Sequence, residues 1–568
     1  VGPCRDIALR VTVGRSREAC AAGSPRGSKA GPLMGSTERG GTPERPEEYA
    51  NWVLDSRVGT GRFQFVYIAL LGLAYGLPSA HTYADIFVRM SGDKYLPPWS
   101  WHHDCGPDIA RCPVLSAPQN CSVPLAEWVP DASGRSIIAD FKLVCARDHL
   151  VPLLGSIYFF GFGVGLIVCG GVSDARGRKA GYLFSVGTLA VGGLLAANAW
   201  SWAVYAIARA ILGFGVAGAG NTTFVWMTEY CNPRLRPVLA WVPNVCFALS
   251  QLLPSVVGWA IYGWRDVLLV VALIAASGLL YAPCLYESPR WLALQGRGQE
   301  AYRIAREMAA ANRVPPPPPP PEACAASRAG EPAHGAGAPE LGLEAVCAHL
   351  WGPRLRTRFL LVCLSWLSIS FAFYGLGLFA PNLPFNAYAA NAINALVSVP
   401  FLLAGQPLIG STRCGRKGAV TGGFVLGGAG LLGSTLIKNT IVSMVVYYAA
   451  NGFLCLAFAV IYVWSSELFP TCVRGRVMGY ASLAGRFGAI LAPFVVDIGA
   501  TRPALAIAIF AAPCLATGVL DLLLPETRGR RLPDTFEDMH HGECERSSEV
   551  LMAGQSSSQN SGRNTGTV

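Results

Sequence analysis

One arginine stands where a charge is most costly. Arg486 lies in the run ASLAGRFGAILAPF, among small and apolar residues. At the centre of a bilayer a bare guanidinium costs roughly 2.5 kcal/mol or more, so it needs a watery cavity or an anion. In a cavity it would attract a carboxylate; the plainer role is an internal partner, or snorkelling toward the interface. Acids are missing from the middle of every long apolar run, since Asp174, Glu229, Glu467, Asp497 and Asp521 fall near ends. A purely cationic ligand would therefore find no obvious buried counter-charge. Aromatic faces can still hold a quaternary ammonium by cation–π contact. Phe224, Trp226, Tyr374, Tyr462 and Trp464 are placed for it, and each has packing or lipid contact as its alternative role. No nucleophile–base pair, metal cluster or phosphate loop occurs in a coherent context, which argues against an enzyme and calls for no cofactor or metal.

The elements that must position these residues are membrane helices. Of 568 residues, 52% are hydrophobic and only 14% charged, unlike a soluble chain of this length. The 64 glycines suit helices that approach closely in lipid. About 20 apolar residues cross a bilayer. By that measure the sequence predicts spans at Arg62–Thr82, Leu150–Gly171, Gly181–Ala199, Ala203–Trp226, Val238–Trp259 and Val267–Tyr286. After a polar stretch come Arg358–Leu378, Tyr388–Ile409, Ala419–Ile437, Ile441–Trp464, Met478–Val496 and Pro503–Leu523. The result is an all-α membrane protein, with twelve spans in two sets of six.

Charge sets the expected orientation. Basic clusters follow spans 2, 4, 8, 10 and 12, at Ser173–Lys179, Asn232–Arg236, Thr412–Lys417, Val473–Arg476 and Thr527–Arg531. The alternate connections are short and nearly uncharged, so the positive-inside rule puts both termini in the cytoplasm. The net charge of +10 belongs to these clusters, and nucleic acid is not an expected partner. The segment at 85–147 is then extracellular. It holds Cys105, Cys112, Cys121 and Cys145, an even number in an oxidising compartment, so one or two disulfides are expected in any of three pairings. Asn120-Cys121-Ser122 is a glycosylation sequon there.

Two sets of six carry the same marks. Gly177-Arg178-Lys179 and Gly415-Arg416-Lys417 are offset by 238 residues, and so are Glu229 with Arg236 and Glu467 with Arg474. Glu287 and Glu526, ending spans 6 and 12, are offset by 239. Parallel repeats of this kind place a substrate between the halves near the membrane middle. The repeated acids and arginines, Asp174, Arg178, Glu229, Arg236, Glu467 and Arg474, predict a cytoplasmic latch. Pairs across the halves would hold the inner side shut. Their alternative role is topology signalling alone.

The run from Gly170 to Lys179 resembles the G-x-x-x-D-R-x-G-R-K signature of the major facilitator superfamily, departing from it at Ala175. The cysteine-bearing loop after span 1, with ESPRWLALQGR (Glu287–Arg297), SSELFPTCVRGR (Ser465–Arg476) and LLPETRGRRLPDTFEDM (Leu523–Met539), is similar to the organic cation/anion/zwitterion transporters of that superfamily. The likeness covers roughly Gly61 to Met539. Within that family, Gln295–Asn312 and Trp366–Leu383 look most like the carnitine and ergothioneine branch.

The resemblance implies the major facilitator fold and transport of a small organic ion by alternating access. Arg486 matches the arginine of anion and carnitine-type members, and Tyr374 and Tyr462 match cavity positions. Ser398 stands where many cation carriers have glutamate, and Ser79 where carnitine carriers have an asparagine linked to sodium, so the coupling ion is open. Arg209 resembles a span-4 arginine tied to coupling in proton-driven relatives, yet the sequence offers it no acid at mid-depth. The expected plan is a disordered cytoplasmic N-terminus at 1–60, halves at 61–286 and 358–525, a linker at 287–357 and a tail at 526–568. The expected function is plasma-membrane transport of organic anions or zwitterions. The alternatives are an organic cation carrier and a receptor or scaffold that keeps the fold without transport.

Overall fold

The computed structural model describes residues 61–89, 136–143, 145–230, 241–261, 263–319, 350–412 and 414–529, together with Val53 and three short strands between residues 100 and 130. Cys105, Cys112, Cys121, Asn120 and Arg236 lie outside the described residues, and Cys145 is described by its backbone alone.

Among the described residues, twelve helices are long and apolar enough to cross a membrane. They are span 1, Arg62–Val88; span 2, Leu150–Arg176; span 3, Arg178–Ala197; span 4, Trp202–Glu229; span 5, Trp241–Ala260; and span 6, Trp264–Cys284. Then follow span 7, Leu355–Leu378; span 8, Ala387–Gly410; span 9, Gly415–Leu436; span 10, Thr440–Glu467; span 11, Val473–Thr501; and span 12, Pro503–Leu523. Several run past the apolar stretches that announce them, because backbone hydrogen bonding carries a helix on through polar end turns. Span 1 is one of them. It continues six residues beyond Thr82 and takes Asp85 into the protein, where the sequence reading ended the span and began a loop.

Spans 1–6 pack chiefly among themselves and spans 7–12 likewise, with span 2 against span 11 and span 5 against span 8 joining the two sets. Glycine permits the closest approaches. A side chain at Gly161 or Gly165 of span 2 would run into the carbonyls of Ala210 or Phe214 on span 4, so this helix pair meets backbone to backbone.

The repeated motifs build the same clasp twice. Glu287, just after span 6, accepts the backbone N–H groups of Arg178 (2.9 Å) and Lys179 (3.1 Å) at the start of span 3. Glu526, after span 12, accepts those of Arg416 (3.1 Å) and Lys417 (3.0 Å) at the start of span 9. A carboxylate on the free N–H groups of a helix N-terminus is favourable by hydrogen bonding and by the helix dipole. Gly177 (φ +104°) and Gly415 (φ +67°) turn the chain into the clasp, and a Cβ at either would collide with the carboxylate. Glycine is required there for both conformation and space.

Two helices follow span 6, Pro289–Leu294 and Gly298–Asn312. The second buries Ala301, Ile304, Ala305 and Met308 at helical spacing against the first set. Its last residue fastens it: Asn312 accepts from the Phe63 N–H (2.9 Å) and donates to Gln64 (2.8 Å), capping span 1. In the 85–147 segment, Ser100–His103 pairs antiparallel with both Leu115–Ser116 and Trp128–Pro130, a small sheet the sequence did not announce.

Candidate functional site

A cavity of about 150 Å³ lies between the two sets, walled by spans 1, 2, 4 and 5 on one side and 7, 8, 10 and 11 on the other. The same four positions of each repeat supply the wall. Two spans are broken beside it. Span 1 pauses at Ala80, two residues after Pro78, and span 5 pauses at Gln251, three residues before Pro254. Proline has no N–H for the carbonyl four residues earlier, so span 5 gives way on the N-terminal side of Pro254, whereas the pause in span 1 falls just after Pro78. Such interruptions bring backbone polar groups to a cavity wall within the membrane.

Arg486 stands in that wall, 5% exposed. Its Nη1 donates to the Tyr374 hydroxyl at 3.2 Å, and its guanidinium lies 4.6 Å from the centre of the Phe162 ring and 5.7 Å from that of Tyr374. Its Nε has no hydrogen-bond partner, and among the described residues no carboxylate comes within ion-pair distance. The ring faces offset part of the cost of a buried cation without neutralising it. The rest of the wall is mostly apolar and aromatic, including Phe224, Phe247, Phe373, Phe458 and Tyr462, with polar points at Ser79, Asn221, Asn244, Gln251, Ser398 and Ser482. No acid lines it. The chemistry suits an anionic head on Arg486 with an apolar body among the rings.

Of the residues singled out from sequence, Arg486, Tyr374, Tyr462 and Phe224 come together here. Trp464 does not. It is buried toward the end of span 10, its indole N–H directed at the Pro525 carbonyl (3.3 Å). Trp226 packs against Tyr182 instead of lining the cavity. Each lies two residues after a wall residue, Tyr462 or Phe224, and two residues turn a helix by about 200°, which points the side chain away from the wall. Sequence reasoning missed Tyr75, Phe162, Gln251 and Phe458, whose types are common in spans and carry no signal of their own.

Arg209 has an acid after all. Asp85 Oδ1 lies 3.3 Å from its Nη2, with the two side chains 2% and 1% exposed, and Asp85 Oδ2 lies 2.5 Å from Arg89. The Arg209 guanidinium sits 4.6 Å from the centre of the Tyr158 ring, whose hydroxyl hydrogen-bonds Thr82 (2.9 Å). The extension of span 1 supplies this partner.

At the basic end of the bundle, the ion pairs close within each set. Arg178 pairs with Asp174 and grips Glu229 with both Nε (3.1 Å) and Nη2 (2.7 Å). Arg416 pairs with Glu467 (3.1 Å), whose other contact is the Thr527 hydroxyl (2.6 Å). Arg474 donates to the Phe469 carbonyl (3.4 Å). For Arg178 and Arg416 the partners are therefore acids of their own half and not the cross-half partners of a latch, because the neighbouring helix ends of one set are the nearer ones. Tyr230, just past span 4, donates to the Tyr286 and Glu287 carbonyls; burial, then the adjacent Tyr67, holds its hydroxyl pKa well above the usual value. Hydrogen bonds join the sets from mid-depth to the opposite end: Ser156 to Ile490, Asn391 to Gln251 and Ser255, and Asn394 to Gln251.

With this geometry in view, the comparisons are direct. The sequence pattern of the family described as Sugar (and other) transporter matches residues 119–538, well over half of the chain. The chain belongs to that family. The transporter is 30% identical to Solute carrier family 22 member 15-like of Xenopus laevis over 408 residues, covering 71% of this chain and 82% of the relative. It is 27% identical to human Organic anion transporter 3, over 86% of this chain and 93% of that one. It is 30% identical to human Solute carrier family 22 member 12, over 73% and 75%. Among solved structures, a partially occluded inward-open form of the Escherichia coli xylose transporter XylE matches with a TM-score of 0.55 at 18% identity, over 83% of this chain and 99% of that one. The fold is that of the major facilitator superfamily, and the protein is a multi-pass membrane carrier of small organic ions, not an enzyme.

Proposed function

We propose that this transporter carries organic anions, and zwitterions that present a carboxylate, across the plasma membrane by alternating access. The observation that supports it is Arg486: a buried guanidinium in a cavity wall, with no carboxylate partner among the described residues. A carboxylate is the ligand that best relieves such a group, and the apolar rings around it suit the remainder of a small organic molecule. Tyr374 orients the guanidinium, while Tyr462 and Phe224 supply wall. Two of the similar proteins are organic anion transporters by name, which agrees with the sign of the charge.

In this reading the basic end is cytoplasmic, as are both termini, and the 85–147 segment with its cysteines and Asn120 is extracellular. Joined at the outer end, with ion pairs kept within each half at the inner end, the structure represents an inward-facing stage. The latch across the halves belongs to the opposite stage, in which Arg178 and Arg416 trade partners.

Uptake of labelled carnitine, ergothioneine, a dicarboxylate and a quaternary ammonium into cells expressing the chain tests the proposal. Carboxylate-bearing compounds should enter, and Arg486→Ala should abolish their uptake with surface expression intact. Uptake of the quaternary ammonium alone, or anion uptake unchanged in Arg486→Ala, would overturn it.

A further inference from the structure

Span 5 breaks at Gln251, and span 8 of the other half lies against the break. Four amides meet there. Asn391 Nδ2 donates to the main-chain carbonyl of Gln251 (2.9 Å) and to the Ser255 hydroxyl (2.8 Å). Asn394 Nδ2 donates to Gln251 Oε1 (3.4 Å), and Asn451 Nδ2 of span 10 donates to Asn394 Oδ1 (2.5 Å). All four side chains are more than nine-tenths buried, and the Oδ1 atoms of Asn391 and Asn451 have no hydrogen-bond partner among the described residues. Gln251 is the one member of the four that lines the cavity.

We infer that this amide array is the outer closure of the carrier. Gln251 is then the positioning residue that ties the closure to the cavity wall. The inference rests on the transport reading and on its orientation. A helix interrupted at a cavity wall is a natural hinge, and here the carbonyl at the interruption is shared between the two halves, accepting from Asn391 of the opposite half (2.9 Å) and from the Ser255 hydroxyl of its own span (3.3 Å). The bonds are neutral, and each shifts an equilibrium by only about two- to tenfold. Several together hold a closed state, yet none requires an ion to be stripped from a partner on opening. A buried charged pair at this depth would hold harder and release more slowly.

The array predicts a side-specific effect. Cys455, a native thiol in the cavity wall on span 10, can report it. Cells expressing the full chain are treated with a membrane-impermeant thiol reagent from outside, and inside-out vesicles from the cytoplasmic face, with Cys455→Ser as the background. Asn391→Leu removes two cross-half bonds while keeping the branching of the side chain. It should raise labelling from outside by about tenfold and lower labelling from inside. Gln251→Leu, which keeps its main-chain carbonyl, should give a smaller rise of the same sign. Equal labelling of variant and parent would overturn the inference, and so would a rise from both faces, which would mean a loosened fold instead of a released closure. The measurement needs no substrate, so failure of the anion proposal in the uptake panel would not be mistaken for failure here.

Discussion

Replacing Asp85 by asparagine removes one negative charge from between two guanidiniums. Asp85 is 2% exposed and Arg209 1%, whereas Arg89 keeps 17% of its side-chain surface and some access to water. Removing one partner of a buried pair costs about 3–5 kcal/mol, because the other charge stays buried without compensation. The 3.3 Å separation from Arg209 and the second partner Arg89 point to the lower end, about 3 kcal/mol, or roughly a hundredfold in the folding equilibrium. Surface expression and the unfolding midpoint in detergent would read it. Arg209→Gln should do comparable damage. In a double-mutant cycle the combined variant should fall short of the sum of the singles by about 2 kcal/mol, since the charges that harm each other are then both gone. If Asp85→Asn is as stable as the parent, or if the two losses add, the pair is not what anchors the end of span 1.

Two further outcomes can be checked with less effort. A thiol reagent that cannot cross membranes should leave at least two of Cys105, Cys112, Cys121 and Cys145 unlabelled until a reductant is added; labelling all four without reduction would refute the disulfides. Glu526→Gln keeps the shape of the second clasp but removes its charge. It should cost about 1–3 kcal/mol in thermal stability, since charge-assisted bonds to the N–H groups of Arg416 and Lys417 become neutral ones. Glu287→Gln should cost a similar amount through Arg178 and Lys179, and a null effect of both would make the clasps incidental.

The parts legible in the sequence are those written in composition and repetition. Twelve apolar runs give twelve helices because nothing but a helix satisfies a single spanning backbone. The repeated Gly-Arg-Lys and glutamate marks were visible as an offset, and the structure supplies their physical cause in the clasp at Gly177 and Glu287 and again at Gly415 and Glu526. Arg486 stood out because a lone charge in an apolar run demands an explanation. Asp85 did not, because it follows a polar stretch that reads as the end of a span, and only the packing shows the helix continuing inward. Trp464 was misplaced for a related reason. Membrane helices of this kind are apolar on most faces, so hydropathy does not say which side meets the cavity. The amides of Gln251, Asn391, Asn394 and Asn451 come from three spans and give no pattern along the chain.

The two clasps also say where the molecule can be divided. Each carboxylate ties the end of a six-helix set back to the start of that set's third helix, and the helix ending at Asn312 is fastened to span 1. Among the described residues, each set is thus fastened by its own side chains, independently of the chain that links the two. Each half carries its own fastening, much as a self-contained gene product would. A carrier built this way preserves the signature of its duplication as a mechanical fact. Two pieces severed between Asn312 and Gly352 and expressed together should each keep these fastenings, and restored uptake by the pair would show it.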